Sequence, residues 1–252
     1  MFSFRHAFAG LRTLALGTAA FAAATFASAA PARAGLTTVM PETDASEQGH
    51  ADIMAHQYGG AFAALANGGY TNGTVTATRV DDAKDTVWYG GSVKVDSVAS
   101  FARSNQTFGL TLNDGSGTAH DLFSTNAFGY AAAGSSAQIS LGSSPWQFTL
   151  DNGATLMKTS SLAAANGSAW DQMVTYKVDG LADGRSTYLM FWEDSSLATG
   201  DRDYNDFVAQ ASFSGAGGPT AVPLPPAAWA GLTTMAGALA VTAWKKRKAQ
   251  TA

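Results

Sequence analysis

The chain has 252 residues, 46% hydrophobic and 13% charged, with 27 glycines and no cysteine. This length holds one domain or two small ones, and the missing cysteine excludes disulfides and thiolate metal sites. The formal net charge is −4, but seven of the fifteen basic residues lie at the two ends and all nineteen acidic residues lie between them. The middle therefore carries eight basic residues against nineteen acidic ones, a net of −11, which excludes nucleic acid as a partner and suits cation binding. Plain solubility accounts for such a balance as well.

Met1–Ala34 reads as a secretory signal peptide. Arg5 and Arg12 form the positive start, Leu14–Phe26 is apolar and Ala-rich, and both Ala27-Ser28-Ala29 and Ala32-Arg33-Ala34 offer small-residue cleavage sites. Signal peptidase and the Sec machinery are thus the first expected partners. Residues 35–70 form an N-terminal segment with a possible short helix over Ala51–Ala66, weakened by Gly59-Gly60. His50 and His56 are six apart, the wrong spacing for one helical face, and are read as exposed residues rather than ligands.

Residues 71–213 read as short strands between Gly, Asn, Asp and Ser turns. Expected strands are Thr74–Val80, Val87–Tyr89, Val93–Phe101, Gln106–Leu112, Thr118–Phe123, Gln138–Leu141, Trp146–Leu150, Ala154–Lys158 and Asp171–Val178. Asn113–Gly117, Asp151-Asn152-Gly153 and Asp183-Gly184 supply turn signals. Nine to eleven strands at this spacing predict an all-β, antiparallel β-sandwich, jelly-roll-like. Asp81, Asp82 and Asp85 form an acidic cluster that reads as a solvated turn rather than a cation site.

The most informative stretch comes last in the domain. The unbroken apolar run Tyr188-Leu189-Met190-Phe191-Trp192 stops at Glu193-Asp194. A small-residue loop leads to Asp201-Arg202-Asp203-Tyr204-Asn205-Asp206, and then Phe207, Ala209, Ala211 and Phe213 alternate with Val208, Gln210 and Ser212. The first run suits a central strand and the second a half-buried one, so the pair predicts a hairpin with an acidic tip. Glu193, Asp194, Asp201, Asp203, Asn205 and Asp206 would then surround one small space, with Arg202 as the only basic residue in the loop. A hard cation, calcium above all, would relieve their repulsion. The spacing is not that of an EF-hand, because Asp206 stands where its Gly belongs and Ser212 where its Glu belongs. Side chains that only cap turns are the alternative.

The same residues carry a resemblance. Phe191-Trp192-Glu193-Asp194 and Gly200-Asp201-Arg202-Asp203-Tyr204-Asn205-Asp206-Phe207 resemble the C-terminal signature of a bacterial exported domain of unknown function, with Met173–Val178 upstream also similar. The resemblance covers about residues 171–213 and implies a β-rich domain, often followed by a sorting signal, without implying a reaction.

After Phe213 the composition shifts. Residues 214–221 read as a Gly-rich linker. Val222-Pro223-Leu224-Pro225 follows, then Trp229, an uncharged run over Ala227–Trp244 and the cluster Lys245-Lys246-Arg247-Lys248. The run is just long enough to span a bilayer, with its basic end in the cytoplasm. This order over 222–252 resembles the PEP-CTERM family of sorting signals in its VPLPA-type variant, with Pro226 replacing the usual Ala. The resemblance implies recognition by an exosortase-type membrane protease, a transient single-pass form in the inner membrane of a Gram-negative bacterium, and delivery to the cell surface, often beside exopolysaccharide.

No catalytic residues are expected. The chain lacks a Gly-x-Ser-x-Gly elbow, and His120 is the only His in the predicted sandwich. Glu193 with Asp206 is the one pair that could serve a glycosidase, but its surroundings read as ligands. Trp88, Trp146, Trp170 and Trp192 could stack on sugars, although core positions suit them better. The reading is a non-enzymatic, surface-displayed structural or matrix-associated protein with a calcium loop. A calcium-dependent carbohydrate-binding module is the alternative, and a glycoside hydrolase the third.

Overall fold

The computed structural model describes residues 36–82, 84–112, 119–142, 144–153, 158–159, 171–195, 200–214 and 217–220. All belong to the second of two units, Gly35–Ala252. The expected signal peptide, the sorting motif with its 227–244 helix, the 113–117 turn and Trp170 lie outside the described residues. Among the described residues no helix is long and apolar enough to cross a membrane.

One helix, α1 (His50–Tyr58), precedes the strands. It ends at Gly59, whose φ of 77° leaves helical space and whose N–H bonds the Ala55 carbonyl at 2.9 Å. The expected continuation to Ala66 therefore does not form. Among the described residues fourteen strands follow: β1 (Ala63–Ala64), β2 (Tyr70–Thr71), β3 (Thr76–Arg79), β4 (Val87–Tyr89), β5 (Ser92–Ala99), β6 (Gln106–Leu112), β7 (Ala119–Thr125), β8 (Ser136–Ser140), β9 (Trp146–Asp151), β10 (Lys158–Thr159), β11 (Met173–Asp179), β12 (Ser186–Trp192), β13 (Phe207–Ser214) and β14 (Gly218–Thr220). They form two antiparallel sheets. The larger runs β1-β2-β3-β11-β12-β13-β5-β8; the smaller runs β14-β4-β9-β6-β7, with β10 beside β9. An all-β sandwich is thus the architecture. Gly218–Thr220, expected within the linker, instead pairs with Tyr89, Trp88 and Val87.

The sheets pack face to face through an apolar layer. The larger sheet contributes Val93, Val95, Tyr188, Met190, Trp192, Phe207, Ala209, Ala211 and Phe213; the smaller contributes Trp88, Phe108, Leu110, Trp146, Phe148 and Leu150. Trp88 and Trp146 are register partners and stack at 5.9 Å between centroids. Truncating one such fully buried aromatic to Ala costs about 3–5 kcal/mol.

The larger sheet has a second buried face. Leu189 and Phe191 of β12, Val174, Tyr176 and Val178 of β11 and Val208 of β13 meet Ile53 and Met54 of α1. This cover explains why β12 is apolar at successive positions: alternate side chains enter two different cores. It also corrects the expectation for β13. On the face that alternation assigns to solvent, Val208 is fully buried against the helix and Ser212 is nearly buried. His50 is corrected likewise. It is buried, stacks on Phe191 at 3.8 Å, and its ring nitrogens meet Tyr176 Oη at 3.0 Å and the Asp203 carbonyl at 2.9 Å. Burial, with the Arg79 charge second, lowers its pKa to about 3, so His50 is neutral at ordinary pH. His56 is exposed as expected and stacks on Tyr130.

Candidate metal centre at the acidic loop

Strands β12 and β13 are neighbours in full register from Ser186↔Phe213 to Trp192↔Phe207. The loop joining them is pinched at its base by that last pair. The backbone at Arg202 and Tyr204 has positive φ, 67° and 59°, so the loop is not an extended alternating segment. Tyr204 is 1% exposed, packs into the second core and donates its hydroxyl to the Asp171 carbonyl at 3.0 Å. Sequence reading misses this anchor, since a lone Tyr among acids carries no periodic signal.

The acidic residues do not surround one space. They separate into two groups, each with ligand oxygens within 4.8 Å of one another: Glu193 with Asp194 and Asp206, and Asp201 and Asp203 with Glu47. Glu47 is the residue that sequence reading misses. It lies about 150 residues away in the chain, so no local motif joins it to the loop.

In the first group, Glu193 Oε2 accepts the Arg202 N–H at 3.0 Å and Oε1 the Ser195 N–H at 3.3 Å. A Cβ at Gly200 would stand 2.5 Å from Glu193 Oε1 and would displace that carboxylate. Asp194 Oδ2 accepts Gln106 Nε2 at 2.6 Å and Ser104 Oγ at 3.1 Å, and the Asp194 N–H donates to Asp206 Oδ2 at 2.8 Å. Burial raises the Glu193 carboxyl, with the Asp201 charge adding to it. Burial, then the charges of Asp194 and Glu193, push Asp206 up to about 10. Without a cation this group holds a proton at neutral pH, since three charges at such separation are not sustained in a partly desolvated site.

In the second group, Asp203 is 3% exposed. Its Oδ1 accepts the Asn205 N–H at 3.2 Å and its Oδ2 accepts Asn205 Nδ2 at 2.9 Å. Burial and then the Asp201 charge raise Asp203 to about 8. Burial likewise raises Glu47, whose carboxyl lies within hydrogen-bonding reach of Asp203 and Asn205. An open cleft of about 480 Å³ borders both groups, lined by Glu47, Asp194 and Asp206 with Phe101, Arg103 and Asn152 among its other walls.

Other expected residues fall elsewhere. Trp88, Trp146 and Trp192 are wholly inside the core and cannot stack on a sugar. His120 is exposed on β7, paired with Leu110. The Asp81–Asp85 cluster is corrected from a solvated turn. Asp85 is fully buried, and Asp82 accepts Thr37 Oγ1 at 2.6 Å and Arg79 at 3.1 Å. Burial and then the neighbouring Asp171 charge raise Asp85 well above the usual carboxylate range, and burial raises Asp171 likewise.

No protein-family model matches the chain, and no curated protein matches it.

Proposed function

We propose that this is an exported, surface-displayed structural or matrix-associated protein whose acidic loop holds calcium. The observation that carries the calcium reading is the first group: Glu193, Asp194 and Asp206 converge within 4.8 Å at the border of an open cleft. Glu193 and Asp206 are close enough to share a hydrogen bond. That separation suits a hard cation and leaves no room for a sugar between a catalytic acid and its partner, which disfavours the hydrolase. The cleft beside the group favours a second reading, a calcium-dependent carbohydrate-binding module, with polar side chains rather than tryptophans contacting the glycan.

The jelly-roll reading is part of the same proposal. A jelly roll alternates its strands between two four-stranded sheets. The smaller sheet order β4-β9-β6-β7 and the larger order β3-β11 … β5-β8 follow that alternation. One strand has been widened into the meander β11–β12–β13, and the acidic loop is the tip of that insertion.

Export and sorting rest on the sequence: the N-terminal signal and the VPLPA-type tail. Mass spectrometry of surface-extracted protein tests them, and no peptide beyond about Pro226 is expected. Intact Ala227–Lys248 peptides in the mature pool would favour a permanent anchor. For calcium, thermal unfolding of the full chain in millimolar calcium should give a higher midpoint than in chelator. Asp206→Asn should remove the difference and raise the chelator midpoint. Equal wild-type midpoints in the two buffers would make the loop a set of turn caps. Retention on polysaccharide columns that disappears in chelator would select the carbohydrate-binding reading.

A further inference from the structure

We propose that β8, an edge of the larger sheet, pairs antiparallel with β8 of a second copy of this chain, about a two-fold axis through Gln138. The pairing does not depend on calcium.

Strand β8 ends the larger sheet beyond β5. Its register with β5 runs from Ser92↔Ser140 to Asp96↔Ser136 without a shift. The ladder continues past both ends: the Leu141 N–H donates to the Gly91 carbonyl at 2.9 Å, and the Ser97 N–H to the Ser135 carbonyl at 2.8 Å. Backbone groups alternate along an antiparallel strand, so Ser135, Ala137, Ile139 and Leu141 turn theirs toward β5. Ser136, Gln138 and Ser140 therefore turn theirs away from the sheet, and all three residues are exposed. An open row of donors and acceptors is a template for another strand.

The other edge strands among the described residues carry devices against such pairing. β1 and β10 are two residues long. β14 is three residues long and contains Pro219. β7 is longer, but it exposes His120 and Asp121, and Leu122 bulges between the partners of Phe108 and Gly109. β8 has five residues and none of these devices: no charge, no proline and no bulge.

Two observations identify the occupant as a second copy. The first is charge. The middle of the chain sets nineteen acidic residues against eight basic ones, so two copies repel unless they meet where charge is absent. From Leu122 to Leu150 the sequence contains no Asp, Glu, Lys, Arg or His, and β8 lies inside that stretch. Beside it on β5, Lys94 and Asp96 neutralise each other in a 2.7 Å ion pair. The second is symmetry. The residues read Gly134-Ser135-Ser136-Ala137-Gln138-Ile139-Ser140-Leu141-Gly142, so a serine pair and a glycine pair stand equidistant from Gln138. A two-fold through Gln138 sets each Ser136 opposite the other copy's Ser140. All three outward-facing residues of each copy are then paired, with about six new backbone hydrogen bonds. A slip of two residues leaves one of the three unpaired. The axis also sets Ile139 of each copy opposite Ala137 of the other, on the face where Ile139 and Leu141 pack against the first core. Such an interface uses one patch on both copies and closes on itself.

The chain has no cysteine, so thiols introduced into the full chain report the pairing directly. In the two-fold arrangement the Gln138 Cα atoms lie about 5.5 Å apart, within reach of a disulfide. The two Ser136 positions lie four residues out of step, about 13 Å, and out of reach. Gln138→Cys should therefore form a linked dimer under mild oxidation. Ser136→Cys and Ser140→Cys should not link alone but should link when mixed. Ser124→Cys, exposed on β7, should not link. Sedimentation of the wild type should rise with concentration from one chain to two. Gln138→Pro removes an N–H that the β5 ladder does not use and should weaken the dimer at least about tenfold, with the unfolding midpoint of dilute protein as the check on folding. Gln138→Lys sets like charges face to face and should also weaken it, so the test survives if the proline variant folds poorly. Gln138→Cys that stays monomeric on oxidation overturns the proposal, whether the edge is bare or covered by another strand. Ser136→Cys linking to itself, or Ser124→Cys linking as readily as Gln138→Cys, overturns the two-fold. A dimer undiminished in Gln138→Lys places the interface elsewhere and overturns β8.

Discussion

The domain has two acidic regions, and they manage their charge differently. Asp82, Asp85 and Asp171 gather around Arg79, whose side chain is 4% exposed and lies 5.7 Å from the Tyr176 ring. The β12–β13 loop, with Glu47, gathers more carboxylates and has Arg202 as its only basic residue. The Arg202 backbone serves this loop, through its N–H to Glu193 and its carbonyl to Met40. Burial raises carboxyls in both, Asp85 and Asp171 in the first and Glu193, Asp203 and Asp206 in the second. The first sets an interior guanidinium among its acids, whereas the second borders an open cleft that solvent ions can reach.

The largest expected effect breaks the first half of that comparison. Arg79→Met should destabilise the domain by about 3–5 kcal/mol in urea unfolding, because it leaves buried carboxyls without their counter-charge. Calcium should not rescue it. A loss below about 1 kcal/mol would mean that Asp85 and Asp171 are simply neutral and need no partner.

The next effect concerns the second region. Calcium at a hundredfold excess over its dissociation constant should add about 2.7 kcal/mol. Asp206→Asn should lose that gain. A full effect surviving in this variant would place the ion elsewhere.

His50 gives a similar magnitude on the acid side. Its folded pKa of about 3 lies below the unfolded value, so the folded state binds fewer protons. Stability is then intact above pH of about 6.5 and falls as pH drops, by up to about 1.4 kcal/mol per unit. At pH 5 the deficit is about 2 kcal/mol. His50→Gln should be destabilising at pH 7 but should lack this acid slope, as comparison of the two unfolding profiles would show.

The smallest effect is read in chelator between pH 8 and 9, where His50 is uncharged in both states. Asp206 keeps its proton in the folded state up to about 10, whereas the unfolded chain releases it near 4. Stability should fall as pH rises, with Asp206 alone contributing about 1.4 kcal/mol per unit. Saturating calcium should flatten that slope, and an equal slope in both buffers would separate the proton from the ion.

Much of the smaller sheet was legible in the sequence. Gln106–Leu112 and Val87–Tyr89 form strands with the expected bounds, because alternation and flanking turns act locally. The apolar run at 188–192 was legible as central for the same reason. What local pattern cannot convey is which segment covers an outer face. His50 and Val208 were misjudged because α1 packs there, and Asp85 because Arg79, Asp171 and Thr175 surround it. The loop's acids were all recognised, but their partition into two groups depends on Glu47 and on the positive φ at Arg202 and Tyr204.

β14 has a mechanical consequence. A single residue, Ala221, separates Thr220 from Val222. Any load applied to the chain beyond Thr220 therefore reaches the domain through three ladder pairs at a sheet edge, one of them formed by Pro219, which has no N–H to give. Such an edge peels pair by pair under low force. The β12–β13 ladder, flanked by strands on both sides, would yield only by shearing many bonds at once. Tension on the tail would thus be spent on β14 before it reached the acidic loop.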